Sequence, residues 1–273
     1  MRTSRCSLFL ALVLAIGSAQ AFAEEKNESC GGLSLPLETP GSAQEQRDLL
    51  LRQVTECMRQ GKRAQALALI TEVIKSNPID ADAYMNRGSV QTSLGEVELA
   101  ISDFTTAIRL DPKLAPAWYN RGITLTHVGR YDSAIADFTE AMRLQPDFPL
   151  AYCNRGLAKT ELGRYDEALA DYTKAIEQDP KTTYCYFSRG TLYLAMGEYQ
   201  KAIDDFSRQI ELRTDAMTYS RRGEAYEALG EFEKALSDFQ AAEQLDPKLE
   251  SAREGLARLA NVELPQHSDG ASK

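Results

Sequence analysis

Apolar and small residues recur along this chain in two interlocking rhythms. Within windows of about 14 residues they fall three and four apart, the spacing of one face of an α-helix, as in Ala100, Phe104 and Ala107 or Ala134, Phe138 and Ala141. Between windows, helix breakers return at a fixed step. Asn-Arg-Gly stands at 86–88, 120–122 and 154–156, Ser188-Arg189-Gly190 keeps the 34-residue step, and Arg221-Arg222-Gly223 follows after 33. Let the glycine of each of these tripeptides be position 8. Position 4 is then Tyr84, Trp118, Tyr152, Tyr186 and Tyr219, and position 15 is Gly95, Gly129, Gly163, Gly197 and Gly230. Position 20 is always alanine, and position 24 is Phe104, Phe138, Tyr172, Phe206 and Phe239. Position 27 is alanine except for Gln209, and position 32 is proline except for Thr214. Glycine at position 15 suits a helix end that needs positive φ, and proline at position 32 cannot continue a helix. Each unit therefore predicts a helix A, a tight turn, a helix B and a stop. Small residues at 8, 20 and 27 let the two helices approach closely, and the aromatics fill the space that remains. One such pair cannot bury its apolar face alone, so neighbours must stack.

This eight-position pattern resembles the tetratricopeptide repeat (TPR) family. The resemblance implies an all-α fold, a right-handed superhelical solenoid of antiparallel helix pairs. Five repeats are expected at 81–114, 115–148, 149–182, 183–215 and 216–249. A degenerate repeat at 47–80 keeps Gly61, Ala66 and Pro78 but carries Leu50 and Val54 where an aromatic and a glycine are expected. Ser42-Ala-Gln-Glu45 is a capping-box signature for the start of the first helix, so 24–46 reads as a flexible leader plus that start. Residues 250–260 suit a capping helix, and 261–273 read as a disordered tail.

The first 23 residues break the rhythm. Arg2 and Arg5 precede an apolar run from Ser7 to Ile16, and Ala21-Phe22-Ala23 closes it with a small-x-small pattern. These are the parts of a cleavable signal peptide, and the run is too short to span a ~30 Å hydrocarbon core as a helix. A periplasmic or secreted location is expected, without stable membrane insertion. Net charge is −9 over the full chain. Such an acidic surface repels phosphate backbones and anionic lipid, which argues against nucleic acid as a partner.

On a helical wheel, positions 4, 7, 8 and 11 of helix A share one side, and 2, 5, 6, 9, 12 and 13 share the other. In the family this second face lines a concave groove that takes peptides. Position 6 supplies Asn86, Asn120 and Asn154, amides that both donate and accept hydrogen bonds, or that only solvate an inner surface. Ser188 and Arg221 interrupt this ladder. Apolar and aromatic groove candidates are Tyr119, Ile123, Leu150, Leu157, Tyr184 and Phe187, with His127 at position 13. A stripe at this spacing serves equally well as core. The lysines that chaperone-binding relatives place at positions 2 and 5 for an acidic C-terminal tail are absent.

Position 7 is Arg87, Arg121, Arg155, Arg189 and Arg222, and position 23 is Asp103, Asp137, Asp171, Asp205 and Asp238. An aspartate matches every arginine, so the expected role is a ladder of structural ion pairs rather than an anion-binding stripe. Cys30, Cys57, Cys153 and Cys185 remain after signal cleavage, without a CxxC. Cys30–Cys57 and Cys153–Cys185 are candidate disulfides, with buried thiols as the alternative. On the wheel Cys153 and Cys185 point in nearly opposite directions, as facing residues on adjacent helices must. Axis spacings of about 8–10 Å oppose the bond. No GxSxG, HExxH, Walker A or GxGxxG sequence occurs, so no enzyme, metal site or cofactor is expected. The expected function is an exported adaptor or scaffold that binds a protein or peptide, in envelope assembly or regulation. The alternative is a structural protein that self-associates through an end of its array.

Overall fold

The computed structural model describes residues 42–260. Residues 1–41, with the expected signal peptide, the expected leader and Cys30, and residues 261–273, the expected tail, lie outside them. The described residues form thirteen α-helices and no strand, in two compact units. The first unit, ending at Pro146, holds α1 (Ala43–Arg59), α2 (Arg63–Ser76), α3 (Ala81–Leu94), α4 (Val97–Leu110), α5 (Ala115–His127) and α6 (Tyr131–Leu144). The second, from Asp147, holds α7 (Pro149–Glu161), α8 (Tyr165–Gln178), α9 (Thr183–Ala195), α10 (Tyr199–Leu212), α11 (Ala216–Ala228), α12 (Phe232–Leu245) and α13 (Glu250–Leu259). Consecutive helices pack in pairs, an A helix with the B helix that follows it.

Local signals set the helix ends. At the start of α1, Ser42 Oγ accepts from the Glu45 N–H at 3.2 Å, while the Ser42 N–H donates to Glu45 Oε2 at 2.7 Å. Two orphan amides are satisfied reciprocally. The turn from α5 to α6 runs through Gly129, whose φ of 73° is the left-handed conformation that closes a helix. There the Arg130 N–H reaches the Leu125 carbonyl at 2.9 Å. Several B helices end in a short aspartate turn, in which Asp111 Oδ1 accepts from the Lys113 N–H at 2.9 Å and Asp179 Oδ1 from the Lys181 N–H at 3.0 Å.

The core of each regular pair is an aromatic ring of helix B laid on the backbone of helix A. A Cβ built on Gly88 would stand 2.8 Å from Phe104, and one on Gly122 only 2.7 Å from Phe138. Both rings are essentially inaccessible, as are the alanines at positions 20 and 27 around them. Tyr172 fills the same place beside Gly156; its hydroxyl finds Thr160 Oγ1 at 3.2 Å, and burial holds the phenol well above the usual tyrosine range. At the chain's start Arg47 of α1 binds Asp80 through two nitrogens, and Asp80 also accepts from the Ala83 N–H at 3.0 Å. Burial alone would raise this carboxyl, but the guanidinium and the amide more than offset it and hold Asp80 below the ordinary range. At the far end of the second unit, α13 covers α12: Leu259 is buried, and Arg258 clasps Glu227 of α11 at 2.9 and 2.7 Å.

Close pairing brings position 7 of each A helix over position 23 of its B helix. Arg87 donates to both oxygens of Asp103 at 2.6 and 2.8 Å, and Arg121 to Asp137 at 2.7 and 2.8 Å. Arg155–Asp171, Arg189–Asp205 and Arg222–Asp238 have the same two-pronged geometry. All five carboxylates are buried. Each guanidinium also lies on an aromatic ring, for instance Arg121 at 5.1 Å from the Trp118 centroid. A further nitrogen ties some repeats to the preceding B helix, as Arg121 Nη1 to Thr105 Oγ1 at 3.0 Å and Arg189 Nη1 to Thr173 Oγ1 at 2.9 Å. The arginines are thus oriented inward, with donors directed at protein oxygens rather than at solvent.

One repeat carries a spare cation. Lys159, at position 11 of α7, is buried, and its Nζ lies 2.9 Å from Asp171 Oδ2. Removing one partner of a buried pair strands the other charge and costs about 3–5 kcal/mol. Arg121→Ala is therefore expected to lower stability by about that much. Arg155→Ala, backed by Lys159, should cost less, and Arg143→Ala, on an exposed pair with Glu140, about 0–1 kcal/mol. Urea melts of the three variants check this order.

Candidate interaction face

The A helices spend most of their surface on neighbours. Positions 4, 7, 8 and 11 face helix B. The wheel assigns position 5 to the free face, yet Cys153 and Ser220 at that position have no exposed surface. A wheel treats one helix in isolation, whereas within each unit the next A helix covers this side. Tyr119 and Phe187, also at position 5, rest on helix B phenylalanines, with ring centroids 5.9 Å from Phe138 and 6.0 Å from Phe206. These two rings are half-buried packing elements rather than projecting anchors.

In the first unit, Asn86, Asn120 and Ile123 are half-buried on α3 and α5, and His127 is exposed at the end of α5. The Asn120 amide donates to Ser89 Oγ on α3 at 3.4 Å, a long bond between adjacent A helices. Thr92 and Thr124 hydroxyls meet between the same helices at 3.3 Å.

In the second unit, Asn154 turns its Nδ2 back to the Leu150 carbonyl at 2.8 Å, and Leu157 is half-buried one turn on. Leu150 and Tyr184, both at position 2 of successive A helices, are 45% and 39% exposed. Leu150 projects apolar surface into solvent, while Tyr184 exposes only part of its ring: burial raises its phenol above the usual tyrosine range and Ser188 hydrogen-bonds it. Beneath this face Cys153 of α7 and Cys185 of α9 are joined by a disulfide, with Cα atoms 5.6 Å apart and both residues fully buried. The axis spacing that opposed the bond overstates the gap. Cα atoms on facing sides stand inside the two axes by about 2.3 Å each, which brings them into the 4.4–6.8 Å range a disulfide needs. Cys57, on α1, is also disulfide-bonded; Cys30, its candidate partner, lies outside the described residues.

A second apolar row escaped the wheel. Position 14, one residue before each turn glycine, is Leu94 and Val128 in the first unit and Leu162, Met196 and Leu229 in the second; Leu94 is half-buried on the core, and the other four are 36–42% exposed. The signal was legible: an apolar residue recurs at a place that neither the helix pair nor the turn requires. It leaves a row of apolar surface exposed at the A-helix C-terminal rim.

Three tetratricopeptide repeat models match the sequence, at residues 115–148, 149–182 and 216–249, at 51–115, and at 171–204. Among solved structures, YrrB, described as a TPR protein with an unusual peptide-binding site, is 25% identical; the match covers 68% of this chain and 96% of that one, with a TM-score of 0.56. A tetratricopeptide repeat protein from Parabacteroides merdae is 28% identical over 79% of this chain and 85% of its own, with a TM-score of 0.61. Pseudomonas aeruginosa PilF is 19% identical and shares the fold, with a TM-score of 0.71, 80% of this chain and 100% of its own. The glycine-on-ring contact, the helix pairs and these matches agree, and the chain belongs to the tetratricopeptide repeat family.

Proposed function

We propose that this protein is an exported adaptor or scaffold that holds a peptide segment, or a partner's exposed surface, along the outward face of its A helices, in envelope assembly or regulation. The observation that carries the reading is the pair Leu150 and Tyr184, apolar and exposed at the same position of successive A helices, with Asn154 between them in sequence. Tyrosine is among the residues enriched at the hot spots that dominate protein interfaces. YrrB offers a precedent for peptide binding within the family, as a property of that protein. The ligand is an extended, apolar-rich segment. Positions 2 and 5 present no lysine to a carboxylate-rich tail. Export rests on residues 1–23, with their basic start, apolar run and Ala21-Phe22-Ala23 cut site. No described helix is long and apolar enough to cross a membrane.

A peptide selected from a random display library on the wild-type protein should bind Leu150→Ala/Tyr184→Ala at least tenfold more weakly, about 1.4 kcal/mol. Far-UV circular dichroism should be unchanged, because both residues are partly exposed and alanine keeps the helix backbone. Equal affinity of the double variant would move the site off this face. Expressed with its native N-terminus in a Gram-negative host, the protein should be recovered from the periplasm about 2 kDa lighter, by loss of the signal segment. An intact mass that retains Met1 would contradict export.

A further inference from the structure

The first helix pair departs from the others in one coherent way. At position 23 it has Leu69 where every other repeat has a buried aspartate, and at position 7 it has Gln53 where every other repeat has arginine. Gln53 is buried, and its Nε2 has no hydrogen-bond partner. At position 18 it has Ala64 where the following repeats carry Glu98, Asp132, Asp166, Gln200 and Glu233. α2 thus carries apolar residues at two positions, 18 and 23, that are polar in the other five B helices. What remains is a groove of about 510 Å³ along α2, lined by Ala64, Leu67, Ala68, Leu69 and Thr71 and closed at its rim by the Glu72–Lys75 pair. Position 21 is apolar in all six B helices, but only on α2 does an apolar residue stand beside it at position 18, where the others are polar.

Cys57 identifies a cover for this face. It is disulfide-bonded, while Cys153 and Cys185 are bonded to each other. Of the five cysteines, Cys6 and Cys30 remain, and Cys6 belongs to the signal segment. The chain beyond Cys30 reads Gly-Gly-Leu-Ser-Leu-Pro-Leu, so Leu33, Leu35 and Leu37 alternate with small or turn-forming residues. In an extended chain they fall on one side. The length also fits. Cys57 lies fifteen residues into the helix counted from Ser42, about 22 Å along it. The twelve residues from Cys30 to Ser42 reach about 40 Å when extended. The slack suffices to cross one helix spacing of about 8–10 Å and return. Tethering raises the local concentration of a short segment to the order of mM, so three leucines need little intrinsic affinity.

We propose that residues 31–37 of this chain, tethered by a Cys30–Cys57 disulfide, lie in the groove along α2 with Leu33, Leu35 and Leu37 against Ala64, Leu67 and Ala68. The leader is then the polar-for-apolar exchange that finishes the first repeat, and it closes this surface to a second copy of the chain. The inference is independent of the A-helix face, because α2 is a B helix.

The test is methyl NMR on the oxidised, signal-free full chain, labelled at leucine and alanine. The expected result is nuclear Overhauser contacts from the methyls of Leu33, Leu35 or Leu37 to those of Ala64 or Ala68, within one molecule. Ala64→Glu restores the polar residue that other repeats carry at an exposed site. It should move the three leucines to random-coil shifts without altering the spectrum of α3–α6. Random-coil leucine shifts in the wild-type oxidised chain would overturn the proposal. So would contacts seen only between differently labelled copies, which would make a second chain the occupant. Peptide mapping that pairs Cys57 with a cysteine other than Cys30 would overturn it as well.

Discussion

The five regular helix pairs depend on a phenylalanine or tyrosine ring pressed against a glycine. At Gly88, Gly122, Gly156, Gly190 and Gly223 a Cβ would stand 2.7–2.9 Å from the nearest ring carbon of helix B, closer than carbon atoms approach. Glycine inside a helix is unfavourable by roughly 0.5–1 kcal/mol relative to alanine. The chain accepts that cost five times because the close approach secures two other gains. It lets the alanines at positions 20 and 27 seal the pair, and it brings the position 7 guanidinium within two-pronged reach of a position 23 carboxylate. With a wider pair the aspartate would be buried alone, which is strongly unfavourable. Packing and electrostatics are therefore coupled through a missing methyl group.

The same geometry decides what is left for a partner. An A helix gives one side to its B helix and, within each unit, a second side to the next A helix. On the A helices and at their C-terminal caps, the large apolar residues with the most exposed surface sit at position 2, as Leu150 and Tyr184 do, and at the rim before the turn glycine, as Met196 and Leu229 do. Tyr119 and Phe187 show how narrow this allotment is. Both are one helix position from the free face, and both are drawn onto a helix B ring.

Much of the fold was legible because it depends on local rules that repeat: glycine at a left-handed helix end, proline after a B helix, Ser42 and Glu45 at a capping box. The matched arginines and aspartates could be read as partners because each pair recurs at one spacing. The wheel misplaced position 5, since burial there comes from the following helix at Cys153 and Ser220 and from the helix B ring at Tyr119 and Phe187, neither of which one helix in isolation shows. Cys153–Cys185 stayed undecided for a related reason: a typical axis spacing does not say how far two facing Cα atoms lean inside it. Lys159 gave no repeating signal at all, being a single departure at position 11. The partner is the least legible feature, because residues on a free face are not held to any packing rule.

The central claim is that the position 8 glycine is kept for the ring it carries. The most direct measurement is the stability of Gly122→Ala by denaturant melting. Glycine to alanine in a helix interior ordinarily stabilises by roughly 0.5–1 kcal/mol. Here the new methyl meets the fully buried Phe138, and the account predicts the opposite sign, a loss of about 1–3 kcal/mol from overpacking. A variant as stable as the wild type, or more stable, would contradict it.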